Sequence, residues 1–366
     1  MDPGLPAAPR GGRAAAAGGD RVTALDAALR SAIPETAGLY DALGDALREA
    51  GAVGEPVELK RLKKHVYRLR IGSNGGASSL VLKSYDPWLA RRNELVVRRW
   101  LPALGLEDGC AHLLATAADR PGRAVWHIYE DLGDCAVDAE RPDRRSVELV
   151  VDLIAGMHVR AAGHPLLPEC RHYCGGLGAA FFAANVRDAI AVLEPLVPLR
   201  VDATPEQLAT RARLLSRLSR LHADLPRRTQ QLEALGGPDT LLHGDLWTTN
   251  TFVGAAGDGV HARLIDWDHA AVGPVSYDLS TFLYRFAPPD RPWILERYRQ
   301  AVVAAGWLLP PAFELNALFE TAEYARYANR VIWPAAALLQ EGGAWGWESL
   351  AEIERWFDTM TPVLRV

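Results

Sequence analysis

The sequence predicts an α+β fold of two lobes: a small N-terminal lobe with a five-stranded antiparallel sheet and one helix, and a larger, mainly helical C-terminal lobe. Its 366 residues are about the length of two domains. Between residues 55 and 130, short runs of alternating apolar residues are separated by turn residues, which is typical of strands. Beyond residue 145, apolar residues recur at spacings of three and four, which indicates helices.

The five strands are assigned from the apolar pattern. The first two lie around Val57 and Leu69 and are joined across Lys60–His65; Gly72–Ser79 forms the next turn, and Leu80–Lys83 is the third strand. The remaining strands are predicted at Leu113–Ala117 and Ala124–Tyr129, around a turn at Arg120–Gly122.

The helices follow from capping signals and apolar spacing. A helix over Thr23–Ala50, interrupted at Pro34, precedes the sheet. Asp86 and Pro87 supply an N-cap and a first helical residue, so the inserted helix is predicted from there to Trp100. In the second half, helices are predicted at 145–162, 176–196 and 204–235, with short strands around Leu241 and Leu264.

The composition excludes several classes of protein. The net charge is -5 and the pI is about 6.1, so no overall basic face is present for nucleic acid. The longest apolar runs, such as Pro334–Leu339, are far shorter than the roughly 18 residues of a membrane span. The four cysteines show no disulfide framework. We expect a cytoplasmic monomer or weak homodimer that binds neither nucleic acid nor membrane.

Lysine is rare and confined to one region of the sequence. Of the 40 basic residues, 36 are Arg and only 4 are Lys, and all four lysines lie between residues 60 and 83. A bias toward arginine would explain the scarcity of lysine but not its location. Six basic residues and no acid occur between residues 59 and 70: Lys60, Arg61, Lys63, Lys64, Arg68 and Arg70. They either face solvent, as charge runs usually do, or bind an anion.

The most informative segment is His243–Asn250, with the sequence HGDLWTTN, followed after a turn by Leu264–Asp268, with the sequence LIDWD. Phosphoryl transfer from a nucleotide needs a carboxylate that accepts the proton of the substrate hydroxyl, and oxygen ligands that hold magnesium. Asp245, Asn250 and Asp266 follow apolar strands at spacings that let them converge. Singly, each is an ordinary turn residue, but the ordered set favours the functional interpretation.

This pattern resembles the aminoglycoside phosphotransferase and choline kinase group of kinase-like enzymes, and HGDLWTTN is especially similar to the fructosamine-kinase form of the motif. The resemblance implies a kinase-like fold and phosphorylation of a small-molecule hydroxyl with ATP or GTP and Mg²⁺. It makes Asp245 the base, Asn250 and Asp266 the magnesium ligands, and His243 a support of the catalytic loop. Asp278 resembles a family aspartate that braces this loop from the start of a helix.

The nucleotide-binding residues are predicted in the first lobe. Lys83 ends a strand where its ammonium would meet the α- and β-phosphates, and Glu94 is the candidate carboxylate that orients it. Glu94 could equally form an ordinary helical pair with Arg91 or Arg98. The segment Ile128–Gly133 resembles the family's hinge.

There, the backbone around Glu130 and Leu132 would meet the adenine, although a plain strand-to-helix turn fits as well. Lys64 is the candidate phosphate contact of the first hairpin, which contains no glycine between Leu59 and His65. The sequence leaves open whether Lys60 or Lys63 makes that contact instead.

The acceptor site is predicted in the C-terminal helices around Phe319–Trp333, where aromatic residues and acids could bind a cationic or sugar-like molecule. Helix packing explains the same aromatic spacing. The candidate acceptor residues are Asp268, Glu323 and Tyr324.

These assignments divide the chain into a disordered tail at residues 1–20, an N-terminal nucleotide-binding lobe at 21–133 and a C-terminal lobe with the catalytic loop and acceptor site at 134–366. The leading hypothesis is a small-molecule O-phosphotransferase whose acceptor is a hydroxylated antibiotic, of aminoglycoside or nucleoside type. The alternatives are metabolic phosphorylation of a sugar, amino alcohol or ketoamine, and a catalytically silent nucleotide-binding protein.

Overall fold

The structure is a computed structural model that describes residues 38–51, 55–73, 76–256 and 259–364, together with residues 27, 29–31 and 33. The predicted tail at residues 1–20 lies outside the described residues. The chain divides into two units: one contains the described residues up to Glu94 and Ala111–Gly133, and the other contains Leu95–Cys110 and the described residues from Asp134 onward. The four cysteines are free thiols.

The first unit is built on an antiparallel sheet of five strands in the order β1-β2-β3-β5-β4. Helix α1 (Leu39–Glu49) packs on β4 and β5, and its residues Leu43 and Leu47 belong to the same buried core as Leu82 and Ile128 of the sheet. This confirms the predicted sheet. The strands are β1 (Glu55–Lys63), β2 (Val66–Ser73), β3 (Gly76–Tyr85), β4 (Leu113–Ala118) and β5 (Val125–Glu130).

The turns of this sheet are tighter than the sequence pattern predicts. The predicted loop Lys60–His65 is wrong in extent, because β1 continues to Lys63 and pairs it with Val66, leaving only Lys64 and His65 in the turn. His65 adopts a left-handed conformation with φ 67°, which closes the hairpin without glycine. The predicted turn Gly72–Ser79 is likewise mostly strand, since pairing continues to Ser73 and Gly76.

The inserted helix begins where Pro87 predicts it. It forms α2 (Pro87–Leu95) and then a π-helical turn at Val96–Trp100, which is wider than α-helix. Its predicted end at Trp100 is wrong by three residues, because the helical conformation continues to Ala103. A further short helical turn covers Leu101–Ala103.

The second unit is mainly helical, as predicted. Its long helix α9 packs against α5, α6, α7 and α10, and α8 packs against α3. The N-termini of α3 and α6 are capped by the side chains of Asp143 and Thr204, which explains where both helices begin. The helices are α3 (Arg144–Ala161), α4 (Leu167–Cys174), α5 (Ala179–Leu193), α6 (Pro205–Leu235), α7 (Ser276–Leu283), α8 (Arg291–Val303), α9 (Ala312–Gln340) and α10 (Trp345–Thr359).

Two small strand pairs interrupt the helices. The buried strand β6 (Thr240–Leu242) pairs with β9 (Ala271–Gly273), and β7 (Thr251–Ala256) forms a hairpin with β8 (Gly259–Leu264). They carry the segments between them, which contain the candidate catalytic residues. Among the described helices, none has both the length and the apolar character of a transmembrane span.

Candidate active site

The loop that carries Asp245 begins at the end of a buried strand. All three residues of β6 are buried, and Leu241 pairs with Val272 of β9. The chain then leaves the sheet at His243 and reaches Asn250 through a 3₁₀ turn at Thr248–Asn250. Asp245 itself is only half-buried, so its carboxylate remains within reach of a ligand.

The loop is anchored by one carboxylate. Asp278, near the start of α7, accepts hydrogen bonds from the backbone N–H of His243 at 2.7 Å and of Gly244 at 2.8 Å. His158 Nε2 donates to the same carboxylate at 3.3 Å, and the other ring nitrogen of His158 lies 2.8 Å from the hydroxyl of Tyr298. The predicted brace by Asp278 is confirmed, and His158 is a buried positioning residue.

The charge on Asp278 is maintained despite complete burial. Burial alone would raise the pKa of this carboxyl, but the hydrogen bond and charge of His158 and the Gly244 amide outweigh it, so the pKa lies below its ordinary value. A charged carboxylate accepts stronger hydrogen bonds than a neutral one. Asp278 therefore holds the start of the His243–Asn250 loop as an ionised group.

His243 is fixed in one tautomer by its two ring contacts. Its Nε2 lies 2.8 Å from the carbonyl oxygen of Ile265, which can only accept, so Nε2 carries the proton. Nδ1 is then free to accept the backbone N–H of Asp245, at 3.3 Å. The ring also packs on Trp267 at a centroid distance of 4.6 Å. These contacts give His243 a positioning geometry that links the loop to the segment after β8.

Gly244 permits a close approach that no other residue allows. Its φ is +80°, and a Cβ at this position would lie 1.8 Å from the carbonyl oxygen of His269. Glycine is therefore required both for the left-handed backbone and for the contact between the loop and the 3₁₀ turn Trp267–His269.

The hairpin β7–β8 brings the candidate metal ligands together. Thr251 pairs with Leu264, so Asn250 and Ile265 flank the open end of the hairpin, where the Ile265 N–H donates to the Asn250 carbonyl at 3.0 Å. Asp266 is the next residue. The Asn250 side-chain amide donates to the backbone carbonyl of Asp245 at 2.9 Å, with a longer approach of 3.5 Å to its carboxylate. Asn250 is thus bonded both to Asp245 and to the residue that precedes Asp266.

Asp266 adopts a left-handed conformation, with φ 69° and ψ 60°. Within the described part of the chain, only His65 shares a positive φ among residues other than glycine. Such strain persists where surrounding contacts enforce it, and it is concentrated at functional sites. Asp268, a predicted acceptor residue, follows in the 3₁₀ turn and is half-buried.

The predicted phosphate-binding lysine lies in the first unit. Lys83 is within β3, which continues to Tyr85, and pairs across the sheet with His127 and Val66. It is half-buried, and its ammonium lies 4.4 Å from the centroid of the Tyr85 ring. Glu94 of α2 lies 3.3 Å from Arg91, the helical pairing that the sequence offered as its alternative role.

The segment after β5 is held by Asp131. Its carboxylate accepts from the hydroxyl of Ser79 at 2.6 Å and from the N–H of Gly133 at 2.9 Å, and it lies 2.7 Å from Arg68. Arg68 is thereby paired, and Arg70 lies 3.6 Å from Glu58, so two members of the basic run face carboxylates. Lys60, Lys63 and Lys64 are exposed.

Glu130 and Leu132 differ in their contacts. The Glu130 carboxylate accepts the backbone N–H of His112 at 2.8 Å, and the Glu130 N–H donates to the His112 carbonyl at 3.1 Å. Within the described residues, the backbone of Leu132 has no such hydrogen-bond partner. Leu132 therefore offers its backbone to a ligand more readily than Glu130 does.

The predicted acceptor residues of α9 are engaged with neighbours. Glu323 is 2% exposed, pairs with Arg326 and accepts from the Ser280 hydroxyl at 2.8 Å. The Tyr324 hydroxyl donates to Glu320 at 3.0 Å. Direct contact of Glu323 with an acceptor is contradicted by this burial, because its carboxylate is committed to bracing α7 against α9.

Three residues near Asp245 were not singled out from the sequence. The Arg285 guanidinium lies 4.1 Å and that of Arg330 lies 5.8 Å from the centroid of the Trp247 ring. Trp247 was visible in the HGDLW motif, but the arginines come from the end of α7 and from α9, distant in sequence. Only the tertiary structure brings them to the catalytic loop.

Substitution of Gly244 by Ala is expected to displace the loop. A left-handed alanine costs about 1–2 kcal/mol and overpacking about 1–3 kcal/mol more, so the free energy of unfolding should fall by about 2–5 kcal/mol. Urea unfolding measures this. Gly237→Ala is the matched control, because Gly237 has φ +75° but a Cβ there meets no described atom within 4 Å. Equal losses for both variants would contradict the close-approach argument.

Asp278→Asn is expected to lower the free energy of unfolding at pH 7 by about 1.5–3 kcal/mol, because the loop amides lose a charged acceptor. Since the folded-state pKa of Asp278 is depressed, its contribution is present above the unfolded pKa of about 3.9 and is lost as pH falls through the folded pKa. The difference between wild type and variant should therefore narrow below about pH 4. Urea unfolding from pH 7 to pH 3 tests this; a difference that widens toward acid would refute it.

Several solved structures share the fold. The GDP and kanamycin complex of APH(2")-IIia aligns with a TM-score of 0.55 and 13% identity, covering 87% of this chain and 99% of that chain. Spectinomycin phosphotransferase, in complex with ADP and spectinomycin, aligns with a TM-score of 0.53 and 12% identity, covering 85% of this chain and 92% of that chain. Plasmodium vivax ethanolamine kinase aligns with a TM-score of 0.53 and 12% identity, covering 83% of this chain and 81% of that chain. These likenesses confirm the predicted kinase-like fold.

The family is shown by the sequence itself. No curated protein matches the chain. The model of APH, the phosphotransferase enzyme family, matches residues 59–310, which is more than half of the chain and includes both the basic hairpin and the catalytic loop. The predicted family and the prediction of a small-molecule phosphotransferase are thereby confirmed. The chain belongs to the phosphotransferase enzyme family.

Proposed function

We propose that the chain transfers the terminal phosphoryl group of ATP or GTP to a hydroxyl group of a small molecule. The observation that carries this proposal is the network around Asn250, whose side chain donates to Asp245 while its carbonyl accepts from the residue before Asp266. The proposed base and one proposed metal ligand are thus directly hydrogen-bonded, and the second proposed ligand, Asp266, follows the residue that bonds to Asn250. That is the set of groups that phosphoryl transfer requires.

In this proposal Asp245 is the catalytic base. Its carboxylate is half-buried and follows the loop that Asp278 anchors, so it can meet a hydroxyl from solvent while its backbone stays fixed. Asp245 would accept the hydroxyl proton as the oxygen attacks the phosphorus. His243, with Nε2 protonated and bonded to Ile265, would position the loop and take no proton.

The residues present fit Mg²⁺. The Asn250 side-chain nitrogen donates to Asp245, which leaves the amide oxygen as the ligand atom, and Asp266 supplies a carboxylate. No cluster of three His, Cys, Asp or Glu residues with metal-binding geometry occurs among the described residues, and Mg²⁺ needs none, since it binds through one or two protein oxygens plus phosphates and water. When bound, Mg²⁺ would neutralise negative charge on the nucleotide phosphates.

The nucleotide would bind through the first unit. Lys83 would contact its phosphates, Glu94 would orient Lys83, and the backbone at Leu132 would meet the base, with Glu130 beside it. Two of the structural neighbours are complexes with ADP or GDP, which supports a nucleotide donor. Lys64, exposed in the first turn, is the proposed further phosphate contact.

The same structural neighbours also support a class of acceptor. The neighbours are described with spectinomycin, kanamycin and ethanolamine, so a hydroxylated small molecule is proposed here as well. Antibiotic inactivation and metabolic phosphorylation of a sugar, amino alcohol or ketoamine both use this chemistry. The retained base and metal ligands argue against a catalytically silent protein.

Asp245→Ala is expected to lower the turnover number by about 10²–10⁴-fold, because a positioned base contributes about that much, while nucleotide binding is retained. Release of ADP or GDP with a panel of hydroxylated acceptors measures the turnover number. Calorimetric titration with nucleotide measures nucleotide binding. Asp239→Ala serves as control, since Asp239 is exposed and paired with Arg171. Full turnover by the Asp245 variant would refute the proposal.

Lys83→Ala is expected to raise the nucleotide Kd by about 10–100-fold, because a hydrogen bond to a charged group contributes about 1.5–3 kcal/mol. Titration with a fluorescent ATP analogue checks this. Arg141→Ala, which removes an exposed arginine paired with Asp138, is the control and should change the Kd by only about twofold. If Lys83→Ala binds nucleotide like wild type, the assignment of Lys83 is wrong.

A further inference from the structure

Positive charge is concentrated beside the proposed base. The residues Trp247, Arg285 and Arg330 form what we call the arginine wall, with the two guanidinium groups 4.1 and 5.8 Å from the Trp247 ring. The backbone N–H of Trp247 donates to the backbone carbonyl of Asp245 at 2.8 Å. The Cα atoms of these two residues can be at most about 7 Å apart. The wall is therefore attached through Trp247 to the loop that carries the proposed base.

The arginines of the wall differ from neighbouring arginines in their contacts with acids. Within the described residues, neither Arg285 nor Arg330 forms a hydrogen bond or an ion pair with a carboxylate. Neighbouring arginines differ: Arg228 lies 2.8 Å from Glu320, and Arg326 pairs with Glu323. Glu320 and Glu323 of α9 are thus each paired with an arginine.

The wall also has unused donors. The ring N–H of Trp247 and the Nε–H of Arg285 are buried and have no acceptor among the described residues. Buried polar groups are ordinarily hydrogen-bonded, and an exception calls for an explanation. Because both groups are donors, the atoms that this surface lacks are acceptors.

Arg285 is half-buried, and burial of its charged guanidinium is energetically unfavourable. Burial, the largest effect, lowers the pKa of its guanidinium, as do the nearby charges of Arg326 and Arg330, while Glu323 and Tyr327 raise it. An arginine keeps its charge nonetheless. Arg330 is exposed, but its charge lies near the partly desolvated charge of Arg285. Like charges repel one another, and an anion bound to both relieves this repulsion.

Cation–π contact with the Trp247 ring does not by itself explain why two arginines lie there or why N–H groups are left without acceptors. A cation above an aromatic face is attracted to it, but the ring supplies no acceptor for the N–H groups and one cation would suffice to pack it. Two arginines that converge on one loop are typical of sites that bind carboxylate or phosphate.

We infer that the acceptor carries an oxyanion group, a carboxylate or a phosphate, which binds to Arg285 and Arg330 while its hydroxyl reaches Asp245. This inference rests on the proposed function and deepens it. It replaces the cationic acceptor that the sequence offered with an anionic hydroxylated molecule. The other source of an oxyanion at this wall is the nucleotide itself, and the experiment distinguishes the two.

The test uses acceptor pairs that differ in one anionic group: L-serine and ethanolamine, gluconate and sorbitol, and glycerol 3-phosphate and glycerol, with kanamycin as a cationic comparison. Nucleoside diphosphate release gives kcat/KM for each at fixed ionic strength. In at least one pair, the anionic member should be preferred by about tenfold or more. Preference for the neutral or cationic compounds throughout would overturn the inference and leave the proposed function standing.

Arg285→Gln and Arg330→Gln should raise the KM of the anionic acceptor by about tenfold or more and reduce its preference over the neutral partner, with the nucleotide Kd unchanged. Arg171→Gln, which removes an exposed arginine paired with Asp239, is the control. An unchanged preference in the variants would refute the inference. A raised nucleotide Kd in place of a raised acceptor KM would assign the wall to the nucleotide and overturn the inference.

A second measurement does not depend on turnover. Malonate should raise the Tm of the wild-type protein more than sodium chloride of equal ionic strength, and this difference should be lost in Arg285→Gln/Arg330→Gln but kept in Lys83→Ala. An equal rise in the double variant and the wild type would overturn the inference. Failure of the proposed function is recognised separately, as the absence of magnesium-dependent nucleotide binding or of any effect of Asp245→Ala.

Discussion

The arrangement of the second unit depends on the charged carboxylate of Asp278. It is completely buried, yet it accepts the backbone N–H groups of His243 and Gly244 and a hydrogen bond from His158. Without these contacts, two amides and a carboxylate would be buried without partners, at a high cost in free energy. Asp278 thereby fixes the point at which the chain leaves β6, and the position of Asp245 follows from that point.

Two backbone conformations complete the site. Gly244 is left-handed and approaches the carbonyl of His269, and Asp266 is left-handed at the end of β8. The hairpin register places Asn250 beside Ile265, so the proposed base and the proposed metal ligands lie on two segments that are joined by backbone hydrogen bonds. The positions of the proposed base and of Asn250 are thus set by backbone contacts.

The sequence was sufficient for the local features. Pro87 predicted the start of α2, alternating apolar residues predicted the five strands, and the HGDLWTTN motif predicted the family. It was insufficient where distant segments meet. The run of basic residues and the turn residues did not reveal that β1 continues to Lys63. The tight turn after Lys63 is closed by His65 in a left-handed conformation, which is more usual for glycine. Nor could helical spacing show that Glu323 is buried against Arg326 or that Arg285 and Arg330 meet at Trp247.

The central claim is that Asp245, Asn250 and Asp266 form one site for a magnesium nucleotide, and its most direct test is a crystal structure with a non-hydrolysable ATP or GTP analogue and Mn²⁺ in place of Mg²⁺. Anomalous scattering locates the Mn²⁺. The account predicts a metal peak at coordination distance, about 2.0–2.3 Å, from the Asn250 amide oxygen and an Asp266 carboxylate oxygen. A nucleotide-bound metal that contacts neither residue would contradict it.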